Sequence, residues 1–113
     1  MIGAIVAMNS EAEILLGQTE VFRSLTVSGK EVYVGRAFGK DVTVVVCGVG
    51  KVYAALGAQL AVSKFDAEKL FNFGVAGGLN KRTALAGVYQ IEKAVQFDFD
   101  LSQLNGTPEP CSP

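Results

Sequence analysis

The chain has 113 residues, of which half are apolar and 19% are charged, a composition typical of one globular domain rather than of a disordered segment. Its net charge is −1 and its basic residues are scattered, so the sequence indicates neither nucleic acid nor a membrane surface as a partner. No apolar run approaches the roughly 18 residues that a transmembrane helix requires. The apolar first segment predicts a β-strand rather than a signal peptide.

The side chains available for chemistry are restricted, because the chain contains no histidine and two cysteines, Cys47 and Cys111. Nucleophiles of the Ser–His or Cys–His type are therefore excluded, and no cysteine pair has the spacing of a zinc site. Any acid–base step falls to Asp, Glu, Lys or Tyr. Two thiols without a disulfide pattern suit a reduced compartment, so we expect a cytoplasmic protein.

The first predicted elements are a strand and a short helix. Residues 2–7 form a continuous apolar run, as expected of a strand buried on both faces. Residues 11–16 predict a helix that ends at Gly17, with Asn9 or Ser10 as its N-cap. Glu11 would then lie in the first helical turn, where the helix dipole favours a carboxylate.

Two hairpins follow, because glycine-containing turns at 29–30 and 39–40 separate segments rich in strand formers. The predicted strands are 21–28, 31–38 and 41–47, and the last of these is the most apolar and should be central.

The second half of the chain begins with a predicted helix at 51–65, where small residues recur at helical spacing and favour close packing on a sheet. Residues 69–73 predict a short buried strand, joined through this helix by a right-handed crossover that makes it parallel to the strand before it. A further strand is expected at 87–97.

Three glycines, Gly74, Gly77 and Gly78, directly follow the strand predicted at 69–73. In an α/β pattern, such a run lies where a parallel sheet presents its binding crevice, beyond the carboxyl ends of the strands. A tight turn without a ligand explains the run equally well.

Residues 48–53, Gly-Val-Gly-Lys-Val-Tyr, fail both nucleotide motifs that they suggest. A dinucleotide fingerprint needs Gly or Ala where Tyr53 stands, and a P-loop needs Ser or Thr where Val52 stands. The segment is interpreted as a turn that opens a helix, with substrate contact by the helix N-terminus as the alternative.

Three segments in order resemble the N-terminal half of the 5′-methylthioadenosine/S-adenosylhomocysteine nucleosidases, which belong to the purine nucleoside phosphorylase superfamily. They are residues 1–8 followed by Glu11, residues 47–58 and residues 72–79. The resemblance implies an α/β fold with a mixed twisted sheet and helices on both faces, nucleoside phosphorylase-like but truncated. It assigns residues 1–100 to the N-terminal half of such a domain and leaves 101–113 as an irregular proline-rich tail.

The resemblance implies hydrolysis of the N-glycosidic bond of these purine nucleosides without a cofactor or metal, by a homodimer. Glu11 matches the catalytic glutamate that activates water, and Met8 matches a methionine of the ribose pocket. Val75, Ala76 and Gly77 match the loop that contacts the nucleoside. A carboxylate suits this chemistry, because it can take a proton from water and stabilise an oxocarbenium-like transition state.

Departures from the family pattern leave alternatives open. The first helix lacks the arginines with which the phosphorylases bind phosphate, so water is the expected acceptor. Val75 stands where many nucleosidases have serine, which leaves another purine nucleosidase, such as a futalosine hydrolase, as an alternative. The family's C-terminal half supplies the acid for the purine, and Asp98 and Asp100 are expected to be solvated rather than to replace it. Activity is therefore expected to be impaired or absent, and a non-catalytic half-domain is the third interpretation.

Overall fold

The computed structural model describes residues 1–79 and 87–96, in two compact units that divide between Ala76 and Gly77. All helices and strands of the described residues lie in the first unit. In chain order they are β1 Ile2–Val6, α1 Asn9–Gly17, β2 Thr19–Val27, β3 Lys30–Ala37, β4 Lys40–Val46, α2 Lys51–Phe65 and β5 Lys69–Asn72. The tail predicted at 101–113 lies outside the described residues.

The sheet is mixed, with the strand order β2-β3-β4-β1-β5. β1 is parallel to both of its neighbours, β4 and β5, whereas β2, β3 and β4 pair antiparallel. β4 therefore occupies the centre, as predicted. β5 is parallel to β4, also as predicted, but β1 lies between them, so α2 connects two strands that are not neighbours.

Helices cover both faces of this sheet, which confirms the α/β expectation. Because successive strand side chains point to opposite faces, β1 and β4 each contribute to two separate core clusters. One cluster joins the sheet to α2 and the other joins it to α1. The first contains Ile5, Val32, Val45, Ala61 and Phe65; the second contains Ala4, Val6, Val44 and Ala12.

Small residues let α2 lie close to the sheet, as the sequence predicts. A methyl group added at Gly57 would come within 2.6 Å of the Cβ of Cys47, a separation that a packed core does not permit. The close approach therefore requires glycine at this position, despite the lower helix propensity of glycine.

Both hairpin turns begin one residue earlier than predicted. Ser28 and Gly29 have φ angles of 52° and 76°, and Phe38 and Gly39 repeat these values. Two consecutive positive φ angles are typical of a type I′ turn, which matches the twist of the flanking strands. As a consequence Lys30, expected in a turn, is the first residue of β3.

Two expectations about the later strands are wrong. β5 was expected to be buried, but all four of its residues are exposed, and Phe71 retains 57% of its accessible surface. The reason is that β5 is the last strand of the described sheet and pairs on one side only. Residues 87–96 form no strand, because an alternating pattern becomes a strand only beside a partner.

No helix among the described residues is long and apolar enough to cross a membrane.

Candidate functional site

The carboxyl end of β1 leads almost directly into α1, through Met8. Met8 has extended backbone angles, φ −137° and ψ 154°, and is the N-cap residue, so the prediction of Asn9 or Ser10 is wrong. Glu11 makes this start possible, because its Oε1 accepts a hydrogen bond of 3.2 Å from the Met8 N–H. A glutamate at the third helical position commonly binds the N-cap amide in this way.

The other carboxylate oxygen of Glu11 reaches the glycine run. Oε2 accepts a hydrogen bond of 3.0 Å from the N–H of Val75, 64 positions further along the chain. The run is held beside β1 by a second bond of 3.3 Å, from the Phe73 N–H to the carbonyl of Ile5. Glu11 therefore bridges the start of the first helix and the segment that follows β5.

A larger residue at Gly74 would disturb this contact. A Cβ at Gly74 would overlap Oε2 of Glu11 and lie 3.1 Å from its Cδ. The run therefore contains glycine here because the carboxylate approaches the backbone closely, and the backbone of Gly74 is not left-handed.

The predicted site residues fall into two groups. Met8, Glu11 and Val75 meet around one carboxylate, and Ala76 follows Val75 directly. Their surroundings are open, since Val75 keeps 83% of its accessible surface. Gly77 begins the second unit, where an added Cβ would meet no described atom within 4 Å. Asp98 and Asp100 lie outside the described residues.

A cleft of about 650 Å³ lies on the other side of Met8. The carboxyl ends of β1 and β4, the β2–β3 turn and the start of α2 line it. Its volume falls in the range of small-molecule sites. The residues that lend it chemical character are Met8, Lys30, Glu31, Cys47 and Tyr53.

Lys30 is the residue of this cleft that the sequence did not single out. Its side chain is 7% exposed, its ammonium donates a 2.7 Å hydrogen bond to the carbonyl of Cys47, and its Nζ lies 4.4 Å from the centre of the Tyr53 ring. Side chains two positions apart in a strand lie on the same face, so the position of Lys30 two residues before the buried Val32 is the sequence signal that could have predicted its burial.

A profile of the Phosphorylase superfamily matches residues 1–112 of the chain. The chain belongs to this superfamily. Similar proteins include the 5′-methylthioadenosine/S-adenosylhomocysteine nucleosidase of Listeria monocytogenes serotype 4a, which is 34% identical over 106 residues. That match covers 94% of this chain and 46% of the Listeria protein. The nucleosidase of Marinomonas sp. strain MWYL1 is 34% identical over 102 residues, which are 90% of this chain and 44% of that protein.

Solved structures of the superfamily show the same fold. The Streptococcus pneumoniae nucleosidase, in complex with a transition-state inhibitor, matches with a TM-score of 0.87 at 25% identity and covers 97% of this chain and 50% of that one. The futalosine hydrolase of Helicobacter pylori matches with a TM-score of 0.77 at 28% identity, over 99% of this chain and 48% of that one. The chain thus resembles the N-terminal half of these nucleosidases and spans about half the length of the relatives that it matches.

Within residues 1–79 and 87–96, no group of three or more metal-ligating side chains could hold an ion. Two charged groups stand out by their contacts in the part of the chain that the structure describes: the bridging carboxylate of Glu11 and the buried ammonium of Lys30.

Tyr33, beside Glu31, should titrate above the ordinary phenol pKa of 10.0. Its hydroxyl donates a 2.9 Å hydrogen bond to Oε2 of Glu31, and this bond, then partial burial, then the glutamate charge raise the pKa. The contribution of this hydrogen bond to the free energy of unfolding is complete below pH 10, and it is lost as the pH rises through the raised pKa of Tyr33. An ultraviolet titration of the tyrosinate band, taken as the difference between wild type and Tyr33→Phe, measures the pKa of Tyr33. The substitution Glu31→Gln should lower this pKa. A Tyr33 pKa at or below 10 would contradict the described bond.

Proposed function

We propose that this chain carries the water-activating half of a purine nucleosidase site. The reaction is hydrolysis of the N-glycosidic bond of 5′-methylthioadenosine or S-adenosylhomocysteine, with release of adenine. Glu11 is the proposed catalytic carboxylate. Met8, Val75 and Ala76 are the proposed substrate contacts, together with Gly77, which the family resemblance assigns to the same loop.

The observation that carries this proposal is the bridge made by Glu11. Its carboxylate is held by the amides of Met8 and Val75, so it is fixed beyond the carboxyl ends of β1 and β5. Open parallel sheets bind ligands at this position. Since two backbone amides orient the carboxylate, it need not reorganise when positive charge develops on the ribose, which is the requirement for electrostatic catalysis.

Glycosidic hydrolysis also needs a proton for the leaving purine, and the proposed site does not contain a group for that step. Loss of one acid–base step typically reduces the rate by roughly 10²–10⁴-fold. We therefore propose that the chain binds nucleosides but releases little or no adenine alone. A non-catalytic half-domain is the limiting case of this proposal.

A second candidate function is hydrolysis of another purine nucleoside, such as futalosine. Val75 leaves this candidate open, because it exposes an apolar side chain where the family resemblance expects a serine, and the similarity to the Helicobacter pylori futalosine hydrolase favours it. The amide of Val75, which binds Glu11, does not distinguish between the two substrates.

The cellular setting is part of the same proposal. A nucleosidase acting on 5′-methylthioadenosine would serve methionine salvage in the cytoplasm, and the family resemblance implies a homodimer. Exposed apolar residues on α2 offer a surface for association: Val52, Tyr53 and Leu56 are each at least half exposed.

Titration of the purified chain with a nucleoside panel tests the proposal. 5′-Methylthioadenosine, S-adenosylhomocysteine, futalosine and inosine are added to ¹⁵N-labelled protein, and free purine is measured by chromatography. We expect the amide signals of Met8 and Val75 to shift with an adenine nucleoside, with little or no purine released. A shift with futalosine alone would favour the second candidate, and no shift with any nucleoside would contradict both. Adenine without ribose is the control.

A further inference from the structure

The edge of β5 that faces away from β1 presents free backbone donors. β5 pairs with β1 on one side only, and just beyond its end the Phe73 N–H binds the carbonyl of Ile5. Successive residues of a strand direct their N–H groups to opposite sides, so the N–H groups of Leu70 and Asn72 point away from β1. Among the described residues, none accepts a hydrogen bond from these two groups.

The side chains of β5 are apolar and exposed on both faces of the sheet. Phe71 and Phe73 lie on one face and keep 57% and 38% of their accessible surface, while Leu70 lies on the other and keeps 43%. Strands that are apolar on both faces are typical of the interior of a sheet that helices cover on both sides. β5 therefore has the composition of an interior strand at an edge position.

The opposite edge of the sheet, β2, is protected against further pairing. A β-bulge between Val21 and Arg23 interrupts its register, and Glu20 and Arg23 place charges on it. Charges and bulges are the usual means by which edge strands avoid binding other strands. β5 pairs with β1 without a register shift, and residues 70–73, Leu-Phe-Asn-Phe, carry no charge and no proline. Of these two edges, β5 is the one suited to accept another strand.

The similar proteins indicate what would occupy this edge. The matches cover 94% of this chain but 46% of the Listeria monocytogenes nucleosidase, and 97% of this chain but 50% of the Streptococcus pneumoniae structure, which shares the fold. About half of each relative therefore lies outside the match. A second copy of this chain is a weaker candidate, because it would repeat Glu11 and the glycine run without adding the purine acid that the proposed site lacks.

We propose that the free edge of β5 binds the half of the superfamily domain that this chain does not match, supplied as a separate polypeptide, by the addition of one strand. The added strand accepts hydrogen bonds from the N–H groups of Leu70 and Asn72, and its apolar side chains cover Phe71. Because β5 leads directly to Val75, the docked polypeptide lies beside the Glu11 bridge. The inference rests on the proposed function in one respect, since the added half must also supply the group that protonates the purine.

Co-expression with a tagged C-terminal half of the Listeria monocytogenes nucleosidase tests the docking, because co-expression lets that half fold against this chain. We expect affinity purification to recover a one-to-one complex, with its mass measured by light scattering. Amide hydrogen exchange then locates the contact. The amides of Leu70 and Asn72 should exchange about tenfold or more slowly in the complex than in the chain alone. The amide of Phe73, which binds Ile5 in both states, should change less and is the internal control.

A pair of variants tests the surface itself. Phe71→Glu places a charge on the exposed side of β5 and should lower the yield of complex by about tenfold or more. Phe38→Glu is the matched control, because Phe38 is an exposed phenylalanine in the β3–β4 turn, and it should leave the yield unchanged. Urea denaturation shows whether both variants fold. The exchange measurement needs no variant, so it decides the docking even if Phe71→Glu does not fold.

Adenine release from 5′-methylthioadenosine separates this inference from the proposed function. A complex that releases adenine would support both, and a complex without release would support the docking and contradict the proposed function. Failure to form a complex, or a complex in which the amides of Leu70 and Asn72 stay unprotected, would overturn the docking and leave the nucleoside titration to decide the function. A dimer of the chain alone that protects these amides would identify a second copy as the occupant and would also overturn the proposal.

Discussion

Glu11→Gln should weaken the binding of a ribose analogue with a protonated ring nitrogen by roughly tenfold or more, while the affinity for neutral 5′-methylthioadenosine changes little. The analogue carries the positive charge that the transition state develops, and the carboxylate interacts with that charge while an amide does not. Calorimetric titration of both ligands measures the difference. In any assembly of this chain that releases adenine, the same substitution should lower the rate by roughly 10²–10⁴-fold.

The same variant should also lose about 1 kcal/mol of unfolding free energy. The two carboxylate oxygens accept bonds from Met8 and Val75, whereas a glutamine side chain has one acceptor oxygen and must leave one amide unpaired. Urea denaturation measures this loss. Glu13→Gln is the matched control, because it removes the same charge from an exposed position on the same helix and should change neither quantity. Equal effects of the two substitutions would exclude the proposed role of Glu11.

Gly74→Ala should reproduce the binding defect of Glu11→Gln although the Glu11 side chain itself is unchanged. The added methyl group would overlap Oε2 of Glu11, so the side chain must rotate away and release the Val75 amide. Because a flexible side chain moves rather than the backbone, we expect the free energy of unfolding to fall by only about 1 kcal/mol. The affinity for the cationic analogue should fall by roughly tenfold.

Two comparisons make the Gly74 prediction specific. Gly17→Ala adds a methyl group where no described atom lies within 4 Å, and should leave analogue binding unchanged. The double variant Gly74→Ala/Glu11→Gln should bind the analogue no more weakly than either single variant, since both remove one interaction. Additive losses, or wild-type affinity in Gly74→Ala, would show that Glu11 does not act from the position described.

The elements that the sequence predicted well are those whose pattern is local. α2 spans Lys51–Phe65 as expected, because small and apolar residues recur at helical spacing, and β1 is buried on both faces as its apolar run indicates. The N-cap was placed wrongly because side-chain propensity favours Asn9 or Ser10, whereas the Glu11 carboxylate binds the amide of Met8. That choice depends on the backbone path, which propensity does not contain.

Burial at the sheet edge and in the cleft could not be predicted in the same way. The apolar strand β5 is exposed because only its pairing with β1 is present among the described residues, and apolar composition does not report strand order. The sequence places Lys30 in a turn, where lysine is usually exposed. It is buried because its ammonium binds the carbonyl of Cys47 and packs over the ring of Tyr53, and both residues are distant in sequence.

The sequence by itself determined the element types within residues 2–72, the glycines after β5 and, through the absence of histidine, the restriction of acid–base chemistry to carboxylates, lysine and tyrosine. Only the tertiary structure decided what those residues meet. The insertion of β1 between β4 and β5 places Glu11 against Val75 on one side of Met8 and the Lys30 cleft on the other. Strand order is set by long-range packing and hydrogen bonding, so residues far apart in the chain become partners that no local pattern specifies.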